Sequence, residues 1–566
     1  MTAPTLVVHN LSYRYRTRQD FALRGCSFSA YPGEIILVAG ASGCGKTTLM
    51  RCINGLIPHS YRGGELHGSI LIKGEPVTGH SLSSLAQRVG TVLQDPEKQI
   101  VGAYVLNEVA FGLENLALPR ETILQRVDEV LNFLGIAHLR DRETFALSGG
   151  EKQKVALAGV LAMQPDLILL DEPLASLDPA SAQEALDAIR RLADNGKTVL
   201  IIEHRVEDVL RIRPDKVLYL EDGVQRYWGP VEGFLAMADP TQVKLPAEYT
   251  ARAIRSRLST SVPAERPSMT IRRNGDGRSE PLVVFEHVDF WYDPDRPVLH
   301  DVSTDIRVGD VIALLGPNGS GKTTLVKHAI CLLRPRRGRV LVAGRDTRKT
   351  TAAQTARTVG YVFQSPSHML FAPTVAEELA FGPRNIGFDE AAIARNVAEA
   401  VRITHLEGLE SLPPLSLSFG QQRRVGIAAV VAMRSHILAM DEPTSGQDYR
   451  HYTAFMDAIM AMRHQGNGEA PFKAILFITH DLDLALSYAN RIWLFAEGRL
   501  VADGPPEQVL ADDALLQRCR LIPTSLLRLN RALLPQTGRF QRAEALAPYL
   551  PPTLAADRPS GGMPMT

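Results

Sequence analysis

The residues Gly40-Ala41-Ser42-Gly43-Cys44-Gly45-Lys46-Thr47-Thr48 fit the phosphate-binding pattern G-x-x-x-x-G-K-[ST]. The apolar run Ile35-Ile36-Leu37-Val38 precedes them, and Leu49 and Met50 follow without a breaker until Asn54-Gly55. That context predicts buried strand, glycine turn and helix. Glycines let backbone N–H groups close on phosphate oxygens. The helix that follows directs its positive end at the same anion. Lys46 adds a full charge at the β- and γ-phosphates, and the Thr47 hydroxyl suits a Mg²⁺ ion. Cys44 occupies a variable position of the loop and is read as tolerated there rather than as a reactive thiol.

The same chemistry occurs again 276 residues later, in Gly316-Pro317-Asn318-Gly319-Ser320-Gly321-Lys322-Thr323-Thr324, after the apolar run Val311–Leu315. Other landmarks repeat in the same order. Gln94 in TVLQDP answers Gln364 in YVFQSP. LSGGE (Ser148, Gly149, Gly150, Glu151) answers LSFGQ (Ser418, Phe419, Gly420, Gln421). LILLDEP, ending in Asp171, Glu172 and Pro173, answers ILAMDEP, with Asp441, Glu442 and Pro443. His204 in IIEH answers His480 in FITH.

Each landmark has a chemical reading. Asp171 and Asp441 end apolar runs beside a phosphate loop, a suitable place for a carboxylate that ligates Mg²⁺ directly or through one of the ion's own ligands. Glu172 and Glu442 are placed to orient or deprotonate an attacking water. His204 and His480 repeat at matching positions, which favours a contact to the γ-phosphate. Gln94 and Gln364 suit a bond to Mg²⁺ or to the water. Tyr15 and Tyr292 are candidates to stack on adenine, with plain core packing as the alternative. Ser148 and Ser418 are good helix N-caps, and the glycines beside them expose N–H groups, giving each half a second anion site. One half has no use for two such sites. Two halves placed head to tail do, each signature closing over the nucleotide of the other.

The elements that must hold these residues follow from the spacing. Strands alternating with helices predict an α/β fold with a mainly parallel sheet and ligands at strand C-termini. Helical spacing covers roughly 106–139 and 375–409. The chain has 566 residues, too long for one core. The expected division is a first domain over 1–240, a linker over 241–280, a second domain over 281–510, and a helical segment with a disordered tail over 511–566. Zero net charge gives no reason to expect nucleic-acid binding, and five scattered cysteines argue against a disulfide framework. No secretory leader or membrane-spanning run is expected.

Together these residues resemble the ATP-binding cassette (ABC) ATPases, over roughly Val7–Leu235 and Val283–Leu510. The resemblance implies tandem P-loop domains, each with a parallel sheet core, an antiparallel β subdomain and a helical subdomain. It implies ATP and Mg²⁺, and two composite sites. One joins Lys46, Gln94, Asp171, Glu172 and His204 with Ser418, Gly420 and Asp448. The other joins Lys322, Gln364, Asp441, Glu442 and His480 with Ser148, Gly150 and Asp178.

The segments QDPEKQIVGAYVLNEVAFGLENL and QSPSHMLFAPTVAEELAFGPRNI are similar to those of energy-coupling factor (ECF) importer ATPases, including the cobalt/nickel-type group. That likeness implies a transmembrane scaffold partner, a small substrate-binding membrane subunit, and a place on the cytoplasmic face of the membrane. Contacts are then expected around Phe111 and Phe381, whose bland alternative is intradomain core. A soluble twin-cassette ATPase acting on ribosomes or DNA is the competing class, and an exporter ATPase ranks lower. Phe419 replaces the first signature glycine and Glu151 the signature glutamine. Both sites are nevertheless expected to hydrolyse ATP.

Overall fold

The computed structural model describes residues 3–175, 177–257, 281–364, 369–444, 449–462 and 472–550. Asp448, the expected linker beyond Arg257 and the tail after Leu550 lie outside them, as does the side chain of Phe419.

Each half is built on five parallel strands. In the first, Ile35–Ala39 lies between Thr198–Ile202 and Lys216–Glu221, and Leu167–Asp171 lies between Thr198–Ile202 and Val89–Val92. In the second, Val311–Leu315, Ala474–Ile478, Arg491–Ala496, Ile437–Asp441 and Val359–Val362 repeat that order. The three inner strands of each half are buried at every position. This is why they read as continuous apolar runs rather than alternating ones.

An antiparallel sheet covers one face of each core. Leu6–Arg14 pairs with Leu23–Ala30 and Glu65–Ile72, and Val283–Asp293 pairs with Arg296–Ile306 and Arg337–Val342. In the first half a single parallel bridge, Val224 to Arg24, joins both sheets into one of ten strands.

The segments of helical spacing are two helices each. Val105–Asn115 and Arg120–Phe133 are separated by Ala117, at φ 53°, and Pro119. Val375–Asn385 and Glu390–Ile403 are separated by Gly387, at φ 84°. Left-handed backbone and an N-terminal proline break a helix that its apolar periodicity alone would continue.

Of the expected linker over 241–280, the structure describes residues up to Arg257. Val243 and Leu245 are buried in the first half's core. The helix Ala247–Arg257 then inserts Ala247 and Ala251 into the second half's core, beside the C-terminal helix Ser525–Thr537. Lys244, between the two anchors, points across the interface. Its Nζ lies 3.1 Å from each oxygen of Asp481 and 2.9 Å from Asp483 Oδ2.

The C-terminal helix completes the joint. Thr524 Oγ1 donates to Asp483, the Ser525 N–H and hydroxyl donate to Glu207 of the first half at 2.6 and 2.7 Å, and the Ala247 N–H donates to Ser525 Oγ at 2.8 Å. Burial works against the Lys244 charge, but Asp481 and Asp483 outweigh it and hold its proton well above the ordinary range. Removing one partner of a buried ion cluster leaves the others uncompensated. Lys244→Ala is therefore expected to destabilise the chain by about 3–5 kcal/mol, read as a lower guanidinium midpoint. A midpoint equal to that of the native chain would contradict this account of the joint.

Candidate functional site

The phosphate loops open the helices Lys46–Ile53 and Lys322–Ala329. A Cβ at Gly45 would stand 2.5 Å from the Ala22 carbonyl oxygen, and one at Gly321 2.9 Å from that of Val298. One at Gly43 or Gly319 would meet nothing within 4 Å. The loop is thus closed against the protein on one side and open on the other, as an anion cradle must be. Lys46 Nζ donates to the carbonyls of Gly40 and Ala41 at 2.7 and 2.8 Å, and Lys322 Nζ to those of Gly316 and Pro317 at 2.8 and 2.7 Å. Both ammonium groups sit over the loop, where phosphate oxygens would replace the carbonyls as partners. The Ser320 hydroxyl is buried in the second loop without a partner among the described residues. The Cys44 thiol is buried, and that burial raises its pKa despite Lys46 nearby, in keeping with an unreactive group.

The acidic pairs follow at the ends of Leu167–Asp171 and Ile437–Asp441. Glu172 and Glu442 have φ of 49° and 46°, left-handed values that cost a residue with a Cβ some strain. Each is held there by a backbone bond to the neighbouring strand, Glu172 N–H to the Ile202 carbonyl at 2.8 Å and Glu442 N–H to that of Ile478 at 3.0 Å. His204 Nε2 lies 3.1 Å from Glu172 Oε1, and His480 Nε2 lies 3.0 Å from Glu442 Oε1. Gln94 donates to the other oxygen of Glu172 at 2.6 Å. The structure therefore brings glutamine, glutamate and histidine together in the first half. Gln364 lines a cavity of about 340 Å³ in the second half with Lys322, Thr323, Asp441, Glu442 and His480. Burial raises the Glu172 pKa, but His204, Lys46 and Gln94 outweigh it and hold the carboxylate ionised below its ordinary range.

Asp171 and Asp441 are buried at the floor of each site. Thr323 Oγ1 donates to Asp441 at 2.9 Å. A hydroxyl beside a carboxylate is the donor set a hard cation takes, so the residues present fit Mg²⁺. The tyrosines differ. Tyr15 packs its ring against Tyr13 and donates or accepts at Thr48 Oγ1, 3.1 Å away. Tyr292 is 58% exposed at the rim of the second cavity.

Ser148 and Ser418 cap the helices Gly149–Ala162 and Phe419–Ala432 in capping boxes with Glu151 and Gln421. Glu151 thus does the capping work of the glutamine it replaces. Across the interface, Ala175 of the first half lines the second cavity. Burial lowers the Lys322 pKa against the pull of Glu442, Asp441 and, from the first half, Asp178.

A second surface repeats in both halves. Glu108 Oε2 accepts the N–H groups of Val101 and Gly102 at 2.8 and 2.7 Å, and Glu378 Oε2 those of Phe371 and Ala372 at 2.9 and 2.8 Å. Both glutamates are buried, and each turns an apolar residue outward: Val101 is 67% exposed and Phe371 61%. Beside them Phe111 is 50% and Phe381 48% exposed, so neither is plain core. Sequence reasoning missed Glu108 and Glu378, although their equal offset from the shared AFG offered a signal.

The sequence profile described as ABC transporter matches residues 23–175 and 299–445, the stretches that hold both loops and both acidic pairs. The chain belongs to the ABC transporter family. Two relatives, each named "Putative ABC transporter ATP-binding protein", span nearly its whole length. The one from Lactiplantibacillus plantarum is 34% identical over 94% of this chain and 96% of its own. The one from Streptococcus pneumoniae is 36% identical over 93% and 95%. A solved structure of CbiO1 from Clostridium perfringens, titled as part of the ABC transporter complex cbiONQ, is 28% identical over 46% of this chain and 96% of its own, with a TM-score of 0.39. The chain is thus an ABC ATPase with two tandem cassettes in an α/β fold.

Burial and Glu172 push the Asp171 carboxyl up to about 6. Between about pH 4 and that value the folded chain keeps a proton there that the unfolded chain has lost. Stability from this group is therefore greatest below about pH 4 and falls as pH rises to about 6. In the nucleotide-free chain, Asp171→Asn is expected to gain stability relative to the native protein across that window, measured by urea unfolding. A difference that stays flat with pH would count against the shifted carboxyl.

Proposed function

We propose that this ABC ATPase is the energy-coupling subunit of a membrane importer of the ECF type, taking up a vitamin, a vitamin precursor or a transition metal. The observation that carries this reading is the apolar surface repeated in both halves at Val101 and Phe111 and at Phe371 and Phe381, each held out by a buried glutamate. Phe371 and Phe381 pack edge to face with centroids 4.7 Å apart. A soluble ATPase has no need for two matched apolar patches facing solvent, whereas an apolar helix of a membrane partner fits each one. Among the described residues no helix is long and apolar enough to cross a membrane, so the membrane-spanning part would come from partners.

In the proposed mechanism ATP binds at Lys46 and at Lys322, each ammonium leaving its loop carbonyls for the β- and γ-phosphates. Thr47, Asp171 and Gln94 in one site and Thr323, Asp441 and Gln364 in the other would hold Mg²⁺, which would supply charge neutralisation when bound. Glu172 and Glu442 accept the proton of the attacking water. His204 and His480 orient those carboxylates and contact the γ-phosphate. Ser148 and Gly150 with Asp178, and Ser418 and Gly420 with Asp448, close over the opposite nucleotide. Ala175 at the second cavity and Asp178 near Lys322 support that pairing.

Glu172→Gln and Glu442→Gln are each expected to slow single-turnover hydrolysis at their own site by about 10²–10⁴-fold. Full activity in one variant with none in the other would refute two competent sites. A tagged chain drawn from detergent-solubilised membranes is expected to bring a polytopic scaffold and a small, very apolar protein. Phe111→Asp with Phe381→Asp is expected to lose both while keeping ATPase activity. Recovery of ribosomes or DNA instead would favour the soluble class.

A further inference from the structure

Tyr361 stands three residues before Gln364, on the strand Val359–Val362. Its buried hydroxyl donates to Asp441 Oδ2 at 2.8 Å, the oxygen that also accepts from Thr323. Two donors on one oxygen fix the rotation of the carboxylate and leave Oδ1 available. The first half has Thr91 at the corresponding position, three residues before Gln94. Thr91 Oγ1 accepts from Asn54 at 3.3 Å, and among the described residues no hydrogen bond reaches the Asp171 carboxylate.

The exchange is compensated in volume. Tyr361 is in register with Ala439, whereas Thr91 is in register with Leu169. A large residue beside a small one replaces a small beside a large, so the layer between sheet and phosphate-loop helix is filled in both halves. Only the second arrangement carries a hydroxyl to the acidic pair. Tyr361 is also braced by an edge-to-face contact with Phe363, centroids 4.7 Å apart. The ring is set by packing and the hydroxyl by its reach.

We infer that Tyr361 is a positioning residue that preorganises Asp441 for a divalent cation, so that the second nucleotide site holds the cation more tightly than the first. This rests on the proposed role of Asp171 and Asp441 as cation ligands. Partners of that kind, one shell removed from a metal, contribute about 10–100-fold to its affinity.

The test uses the full chain, Mn²⁺ as probe and a non-hydrolysable imido analogue of ATP, with free Mn²⁺ read by electron paramagnetic resonance. The native chain is expected to show two classes of analogue-dependent Mn²⁺ site about tenfold or more apart. Tyr361→Phe is expected to bring the tighter class to the weaker value, with analogue affinity in EDTA unchanged. Thr91→Val is expected to change neither class. A single class in the native chain overturns the inference without need of any variant. So does a Tyr361→Phe titration that matches the native one, or one in which metal-free analogue binding falls by the same factor, which would make the tyrosine packing alone. If the native chain binds the analogue and takes up no Mn²⁺ with it, the cation-ligand assignment fails first and the inference with it.

Discussion

Lys244 and the two aspartates it meets hold this molecule's halves in contact at a chosen place. An ammonium largely withdrawn from water, as this one is, tolerates that loss only where opposite charge is close on several sides. Asp481, directly after His480, and Asp483, two residues further on, supply that. On the other side of the interface Arg205, next to His204, is half-buried and balanced by Asp208 and Glu203, with Asp481 adding to the field across the gap. The turns that follow the two histidines are therefore joined through charge. The C-terminal helix doubles that connection, because Thr524 and Ser525 bond one to each half. Asp483 and Glu207, to which they donate, lie three residues beyond the two histidines.

The chemistry rests on local strain held by that frame. A glutamate in left-handed backbone is unusual, and here it occurs twice at the same position. The strand bond to Ile202 or Ile478 holds each in place, and its oxygens meet an imidazole. The consequence is a carboxylate set against its histidine, next to a loop built to cradle phosphate. The two glutamates are not dressed alike: Gln94 bonds the side chain of the first, whereas Arg423 donates to the backbone carbonyl of the second.

Much of this was legible in the chain, because the informative features are local. Glycine spacing at 40–48 and 316–324 encodes the loop directly, and apolar runs of five encode fully buried strands. The connecting helix was not legible. Its buried residues are Ala247, Thr250 and Ala251, with Ile254 half-buried beside them, and small residues between charged ones give no apolar run. Lys244, Glu108, Glu378 and Tyr361 escaped for a related reason. Each matters through a partner that tertiary packing supplies, and nothing in its immediate neighbours names that partner. Phe111 and Phe381 stood open between core and surface, and only their exposure separates the two.

The joint between the halves has a consequence for how such a chain evolves and responds. A cassette free in solution meets whichever copy diffuses to it, itself included, and its face must suit every encounter. Here the first half always meets the second, at an effective concentration on the order of millimolar, whatever the amount of protein in the cell. Stoichiometry is set by translation rather than by balance between two products. Pairing within the chain outcompetes pairing between chains, so substitutions on one half need be compatible chiefly with a single neighbour. Fusion thereby frees the two halves to specialise, and the exchange of tyrosine and alanine for threonine and leucine between them is the sort of divergence it permits.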